Sequence, residues 1–161
     1  MYETGGGLFL PRHKGDRLVI LLPRIPQWQI AMIAALRIGA IPIPCIEMLT
    51  ERDLEYRLRH SGARAILCRA GRAGELDRIT TGLPCRIALG DSPGWVDMAA
   101  AMAAAEETAP AAIMGIEDPA IMYYTSGSTG HPKGVLHAAR GIFSWRMSAR
   151  YWLDLTPEDR I

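Results

Sequence analysis

The stretch that decides the fold is AIMYYTSGSTGHPKGVLHA, residues 120–138. An apolar, aromatic-rich run typical of a buried strand passes directly into a loop of Gly, Ser, Thr, Pro and Lys. A second apolar run, residues 134–138, follows the loop. Because strands of a buried type flank it on both sides, we interpret the loop as part of a packed domain and not as a flexible Ser/Gly linker.

The loop has the components of a polyphosphate site. Lys133 supplies a point charge that can neutralise phosphate, and several glycines let backbone N–H groups converge on an anion. Side-chain hydroxyls add donors without adding charge. The glycines are Gly127, Gly130 and Gly134, and the hydroxyl residues are Thr125, Ser126, Ser128 and Thr129. The Walker A pattern is excluded because Pro132 stands where that pattern requires its second glycine.

Upstream of the loop, apolar runs of strand length alternate with stretches of helix length. This order predicts an α/β domain with a largely parallel sheet flanked by helices. Strands are predicted at residues 17–22, 64–68, 85–90 and 120–125, and helices at residues 26–39, 51–62, 73–82, 95–107 and from about 139. Residues 40–46, AIPIPCI, are extended, but their two prolines forbid a central strand.

Two of the helices carry recognisable ends. Pro26 is tolerated at a first helical position and Gly39 can end the same helix in a left-handed conformation. Thr50 can cap the next helix, which Gly62 would end. In the first of these helices the apolar residues lie close to one face by 3.6-residue periodicity; they are Ile30, Ile33, Ala34 and Ile38.

Composition limits the possible partners and location. The net charge of +1 and the mixed charges give no electrostatic case for nucleic-acid binding. The most apolar window, residues 30–46, is too short and too interrupted to span a bilayer. The three cysteines form no C-x-x-C pair and are expected to be buried thiols, which fits a cytoplasmic protein.

The sequence YYTSGSTGHPKGVLH, residues 123–137, resembles the phosphate-loop signature of the adenylate-forming (AMP-binding) superfamily. Every core position of T-S-G-[ST]-T-G-x-P-K-G is present from Thr125 to Gly134. Upstream segments, including residues 50–68, are similar to the same family, and the resemblance covers roughly residues 14–161. LPRIPQW and YWLDLTPEDRI look most like the acetyl- and medium-chain acyl-CoA synthetase branch.

The resemblance implies a ligase that activates a carboxylic acid with ATP and Mg²⁺ as an acyl-adenylate and then transfers it to coenzyme A. It implies that Lys133 is the catalytic residue here, although no metal ligand can be assigned. The residues implied to contact the ATP phosphates are Thr125, Ser126, Gly127, Ser128, Thr129, Gly130 and Lys133.

Residues 1–161 are expected to form an incomplete part of the family's N-terminal domain, without its C-terminal domain, and not to turn over substrate alone. Two alternatives stay open: part of a peptide-synthetase adenylation domain, or a non-catalytic nucleotide-binding remnant. The carboxylic acid and the oligomeric state are not determined by the sequence.

Several other residues have a structural interpretation that is favoured over a functional one. Arg24 and Trp28 fit a helix start and its packing face, and His131 fits exposed loop filler. His137 fits a structural residue on the strand after the loop, and the aromatic residues of the last helix fit core or interdomain packing better than an acyl tunnel; they are Trp145, Tyr151 and Trp152.

Overall fold

The computed structural model describes residues 13–106, 111–126, 130–156 and 158–159. In chain order the elements are β1 (Arg17–Leu21), α1 (Pro26–Arg37), β2 (Ile41–Cys45), α2 (Glu51–Ser61), β3 (Ala65–Arg69), α3 (Ala70–Thr80), β4 (Cys85–Leu89), β5 (Val96–Asp97), α4 (Met98–Ala104), β6 (Pro119–Thr125), β7 (Lys133–Ala138) and α5 (Ala139–Tyr151). No helix in these ranges is long and apolar enough to cross a bilayer.

Five strands form a parallel sheet in the order β2-β1-β3-β4-β5. The predicted α/β fold with a largely parallel sheet is therefore confirmed. Side chains of successive strand residues point to opposite faces, so β1 contributes to two separate cores. Leu18 and Ile20 pack in the core that includes α1, while Val19 and Leu21 pack in the core that includes α2 and α3.

The proline-containing strand β2 lies at the edge of this sheet, as its sequence predicts. The N–H of Ile41 donates to the carbonyl of Asp16, 2.8 Å away, and so faces β1. By the two-residue alternation of a strand, the nitrogens of Pro42 and Pro44 face the other way and have no hydrogen to donate. This edge therefore cannot donate hydrogen bonds from those two positions to a further strand.

Strands β6 and β7 form a separate two-stranded antiparallel sheet, and β6 packs beside β2. The sequence placed the loop after a strand of an open α/β sheet. The structure instead makes the loop the turn of a β-hairpin that lies at the proline edge of the parallel sheet. The missing donors of Pro42 and Pro44 account for this separation, because a ladder between β2 and β6 would lack hydrogen bonds from those two positions.

The ends of α1 and α2 are as predicted, but two other helices differ from their predicted bounds. The helix predicted at residues 73–82 spans Ala70–Thr80, and the one predicted at residues 95–107 is reduced to Met98–Ala104 because Val96–Asp97 pairs with β4 as strand β5. Thr50 accepts a hydrogen bond from the N–H of Asp53, whose carboxylate accepts from the N–H of Thr50 in return, which completes a capping box. Gly62 ends α2 at φ 61°, and Gly39 follows α1 at φ 74°. Both glycines have the left-handed conformation that the sequence requires of them.

The buried face of α1 differs from the apolar face that its periodicity predicts. Ile30 is 42% exposed and Ile33 is 63% exposed. The buried positions are Ala31, Met32 and Ala35. We attribute the difference to close packing, because small alanine side chains allow a helix to approach a sheet closely.

Substitution of Gly62, which ends α2, tests whether this position requires glycine. A Cβ at Gly62 would lie 2.9 Å from an Nη atom of Arg17, whose guanidinium donates to the carbonyls of Ser61 and Gly62. Gly62→Ala should therefore lower the free energy of unfolding by about 2 kcal/mol. The matched control Gly74→Ala, at an open position inside α3, should raise it by about 0.5–1 kcal/mol. Urea denaturation measures both, and equal effects would contradict this account.

All three cysteines are buried thiols outside any disulfide, as predicted. Burial raises the pKa of Cys45 and Cys85 to about 11 and that of Cys68 to about 12, because it penalises the charged thiolate.

The cysteine thiols of the native protein should therefore react very slowly with a thiol reagent. At pH 8 a pKa of about 11 leaves roughly one thiol in a thousand ionised, against about a quarter for an ordinary cysteine. Labelling followed by mass spectrometry should show all three sites modified at least a hundredfold more slowly in the native protein than in urea. Rapid modification of any one of them would show that its burial is wrong.

Candidate functional site

The β6–β7 hairpin brings together residues from both ends of the predicted phosphate loop. Thr125 is the ladder partner of Lys133, and Tyr124 is the partner of Gly134. The seven residues 126–132 connect the strands. Two of the predicted phosphate-binding side chains, a hydroxyl and an ammonium, therefore lie across from each other where the loop begins and ends.

The described loop residues have the exposure and backbone geometry that a binding loop needs. Thr125, Ser126, Gly130 and Lys133 are all exposed. Gly130 has φ 107°, a conformation that side chains rarely adopt. The other predicted contacts lie outside the described residues and stay predictions; they are Gly127, Ser128 and Thr129.

Lys133 is available to an anion. Its side chain is exposed, and no carboxylate of the described residues pairs with it. Lys14 differs, because its Nζ lies 2.6 Å from a carboxylate oxygen of Asp118. An unpaired ammonium beside a loop of hydroxyls and backbone N–H groups favours binding of a negatively charged ligand.

The two faces of the hairpin contact different parts of the fold. On one face Tyr123 packs against the core that includes α1. On the other, Tyr124 packs against the core that includes α2. The strand alternation and the ladder register place Thr125 and Lys133 on the Tyr123 face.

An open cleft of about 970 Å³ lies on the Tyr123 side, where β1 and β2 end. Tyr123, Arg24, Trp28 and Glu47 are among the residues that line it. The position agrees with the general location of ligands at the carboxyl ends of parallel strands. Trp28 also packs against the core that includes α1, so its predicted packing role is confirmed. The same side chain borders the cleft.

The hairpin face on the α2 side carries contacts that the sequence did not reveal. The Tyr124 hydroxyl lies 2.8 Å from Nδ1 of His60 and 3.4 Å from the carbonyl oxygen of Arg57. Burial raises the pKa of the Tyr124 phenol above its ordinary value, so the hydroxyl keeps its proton at neutral pH. No spacing rule connects residues on α2 with residues of the loop region, so this contact could not be predicted from the sequence.

The structure agrees with the sequence prediction for one of the two histidines near the loop and only in part for the other. His137 lies on β7 and contacts the ring of Tyr123, with centroids 5.5 Å apart, which agrees with a structural role. His131 is exposed, as expected of loop filler, but its ring stacks on Tyr56 with centroids 4.8 Å apart. The filler interpretation of His131 is therefore incomplete.

The aromatic residues of the last helix do not lie in the core of the described structure. Trp145 is 45% exposed, Tyr151 is 70% exposed and Trp152 is 83% exposed. None of the residues in α5 is buried. The prediction that these three side chains pack in the core is therefore wrong within the described ranges. Interdomain packing stays a prediction.

Comparisons with known proteins agree on one kind of enzyme. A family model described as "AMP-binding enzyme" matches residues 10–161. The human mitochondrial acyl-coenzyme A synthetase ACSM5 is 34% identical over 151 residues, which are 90% of this chain and 26% of that protein. The Brucella canis acyl-CoA synthetase structure gives a TM-score of 0.79 at 29% identity, over 90% of this chain and 27% of that chain.

A second solved structure is similar over most of the same residues. The anthranilate CoA ligase AuaEII, in complex with anthranoyl-AMP, gives a TM-score of 0.74 at 25% identity, over 86% of this chain and 27% of that chain. The chain thus spans about a quarter of the length of the relatives that it matches.

Proposed function

Because the chain belongs to the AMP-binding enzyme family, we propose that it supplies the phosphate-binding hairpin of an ATP-dependent acyl-CoA synthetase. Such a ligase joins a carboxylic acid to coenzyme A. The observation that carries the proposal is the pairing of Thr125 with Lys133 at the base of the signature loop. This register presents on one face a hydroxyl and an ammonium that no described carboxylate pairs with, so a polyphosphate can contact both.

The proposed reaction has two steps. A carboxylate oxygen attacks the α-phosphorus of ATP, the bond to the bridging oxygen breaks, and pyrophosphate leaves with the electron pair. The thiol of coenzyme A then attacks the acyl carbon, loses its proton to solvent, and displaces AMP. The first step brings an anion to a polyanion and increases the charge on the departing pyrophosphate, so it needs positive charge at the β- and γ-phosphates.

In this proposal Lys133 binds the β- and γ-phosphates and stabilises the charge of the leaving pyrophosphate. Thr125 and Ser126 donate hydrogen bonds to the same groups, and Gly130 allows the backbone to approach them. The same role is proposed for the loop residues outside the described ranges; they are Gly127, Ser128 and Thr129.

Mg²⁺ enters the proposal as part of the nucleotide substrate, bound to its phosphate oxygens. Within the described ranges no group of three or more His, Cys, Asp or Glu residues is arranged to hold a metal ion. No residue of the described chain is therefore assigned as a magnesium ligand, and no step is derived through the ion.

The choice of coenzyme A as acceptor is supported by the names of the relatives, which are acyl-CoA synthetases and a CoA ligase. The ligase structure with anthranoyl-AMP supports an acyl-adenylate intermediate. The alternative of a peptide-synthetase adenylation domain has no comparable support among these relatives. The cytoplasmic location stays a prediction from the cysteine content.

The proposed role of Lys133 can be tested by nucleotide binding to this chain. Titration calorimetry should show that Lys133→Ala weakens binding of ATP·Mg²⁺ and of pyrophosphate about tenfold or more, since a hydrogen bond to a charged group contributes roughly 1.5–3 kcal/mol. Binding of AMP should change little, because AMP lacks the β- and γ-phosphates.

The matched control for this loss of charge is Arg140→Ala. Arg140 lies at the start of α5, is exposed and forms an ion pair with Glu117. An exposed ion pair of this kind contributes little to stability. The control should bind ATP·Mg²⁺ within about twofold of the unmodified protein. Unchanged ATP binding by Lys133→Ala would contradict its role, and absence of ATP binding by the unmodified chain would contradict a phosphate-binding function for this chain.

A hairpin graft separates the ligase from a non-catalytic nucleotide-binding remnant. Residues 119–138 of this chain would replace the matched hairpin of the Brucella canis enzyme. The graft should retain acid-dependent formation of pyrophosphate, and Lys133→Ala in the graft should slow it sharply. Thioester formation from preformed acyl-adenylate should stay close to normal, because pyrophosphate has already left. A folded graft that binds ATP without forming pyrophosphate would favour the remnant.

A further inference from the structure

The phosphate loop is fixed at its lysine end by a residue from a distant helix. The hydroxyl of Tyr56, on α2, donates a hydrogen bond of 3.1 Å to the carbonyl oxygen of Pro132. The same tyrosine ring stacks on the ring of His131, with centroids 4.8 Å apart and planes at 16°. One side chain thus contacts two consecutive loop residues immediately before Lys133, by two different interactions.

The carbonyl that accepts this hydrogen bond belongs to the peptide that joins Pro132 to Lys133. A peptide unit is planar, so a hydrogen bond to its oxygen also fixes the orientation of the Lys133 N–H. The ring of Pro132 also restricts the φ angle of Pro132 itself, on the N-terminal side of this peptide. The backbone at Lys133 is thereby held by α2 as well as by its ladder partner Thr125.

Helix α2 is a rigid support for this contact. Its N-terminus is closed by the Thr50 capping box, and its inner face is anchored by Leu54 and Leu58, which are 0% and 4% exposed. Tyr56 also stacks on His60, one turn later, with centroids 5.3 Å apart. The ring of Tyr56 therefore contacts its own helix through His60 and the loop through His131.

The same helix also holds the other strand of the hairpin. His60 and the hydroxyl of Tyr124 are within hydrogen-bond distance, and Tyr124 is the ladder partner of Gly134. A Cβ at Gly134 would lie 3.3 Å from the sulfur of Met122 and 3.5 Å from Cε1 of His60. The 3.5 Å distance to His60 is an ordinary van der Waals contact, so the hairpin packs directly against α2 at this position.

We propose that Tyr56 is a positioning residue of the phosphate site, whose hydroxyl fixes the Pro132–Lys133 peptide so that the lysine is presented to the β- and γ-phosphates. The inference rests on the proposed function for the identity of the ligand. It adds to the phosphate site a residue that lies outside the signature, residues 125–134, and it assigns one role to the ring of Tyr56 and another to its hydroxyl. The ring of Tyr56 supports the hairpin, while its hydroxyl orients the lysine end of the loop.

Two substitutions distinguish these roles. Tyr56→Phe keeps the ring and its stacking on His131 but removes the hydrogen bond to Pro132. Tyr56→Leu removes both. Tyr151→Phe is the matched control, because it deletes a hydroxyl from an exposed tyrosine on α5.

The first measurement needs no ligand. Amide hydrogen exchange, followed by mass spectrometry, should be several-fold faster in the peptide that contains residues 130–136 in Tyr56→Phe, and faster again in Tyr56→Leu. Exchange in the peptides of β1 and β3 should stay unchanged in Tyr56→Phe, because the parallel sheet is not altered. The Tyr151→Phe control should match the unmodified protein throughout.

The second measurement is the ratio of two affinities. Tyr56→Phe should weaken binding of ATP·Mg²⁺ about three- to tenfold, the range of one hydrogen bond, and leave AMP binding within about twofold. A residue with only a structural role would change neither affinity in the Phe variant, or would change both together.

The outcomes separate this inference from the proposed function. Weaker ATP binding in Lys133→Ala with unchanged ATP binding and loop exchange in Tyr56→Phe would leave the function standing and overturn the positioning role. If the unmodified chain binds no ATP, the proposed function fails, and loop exchange still decides the role of Tyr56. Unchanged exchange in Tyr56→Phe would then overturn it, and faster exchange confined to the loop peptide would support it.

Discussion

The position of the β6–β7 hairpin depends on two missing backbone donors at the edge of the parallel sheet. Pro42 and Pro44 have their nitrogens directed away from β1, on the side where β6 lies. A strand with free N–H groups there could take β6 into the main sheet. Because these donors are missing, β6 is not part of the main sheet, and the loop between β6 and β7 is the turn of a separate hairpin beside it.

The two faces of the hairpin make different contacts, since the side chains of adjacent strand residues point in opposite directions. The face that contains Tyr123 also contains Thr125 and Lys133, and it adjoins the cleft at the ends of β1 and β2. The face that contains Tyr124 packs on α2. The proposed phosphate contacts and the packing contacts with α2 thus lie on opposite sides of one ribbon, so each can be altered separately.

The anchoring side joins parts of the chain that are far apart in sequence. Tyr56 and Pro132 are separated by 76 residues, and His60 and Tyr124 by 64. Both contacts start from one face of a single well-capped helix. The loop is rich in small residues and has little apolar surface of its own to bury, so contacts with a neighbouring element are what can fix its ends.

The amino-acid sequence by itself determined the local features and the order of the elements. Thr50, Gly39 and Gly62 set helix ends through backbone hydrogen bonds and left-handed angles that involve only neighbouring residues. The composition of β2 restricted it to an edge, and residues 125–134 were sufficient to identify the signature of the phosphate loop. These features could be predicted because their physical causes act within a few residues.

Only the tertiary structure decided which surfaces meet. Periodicity grouped Ile30 and Ile33 on one face of α1, but the sheet buries Ala31 and Ala35, because the face that packs depends on the shape of the partner. The loop composition predicted an anion site without indicating that Tyr56 would hold it. That contact exists because the fold brings α2 alongside the hairpin, and its geometry is set by packing between distant elements.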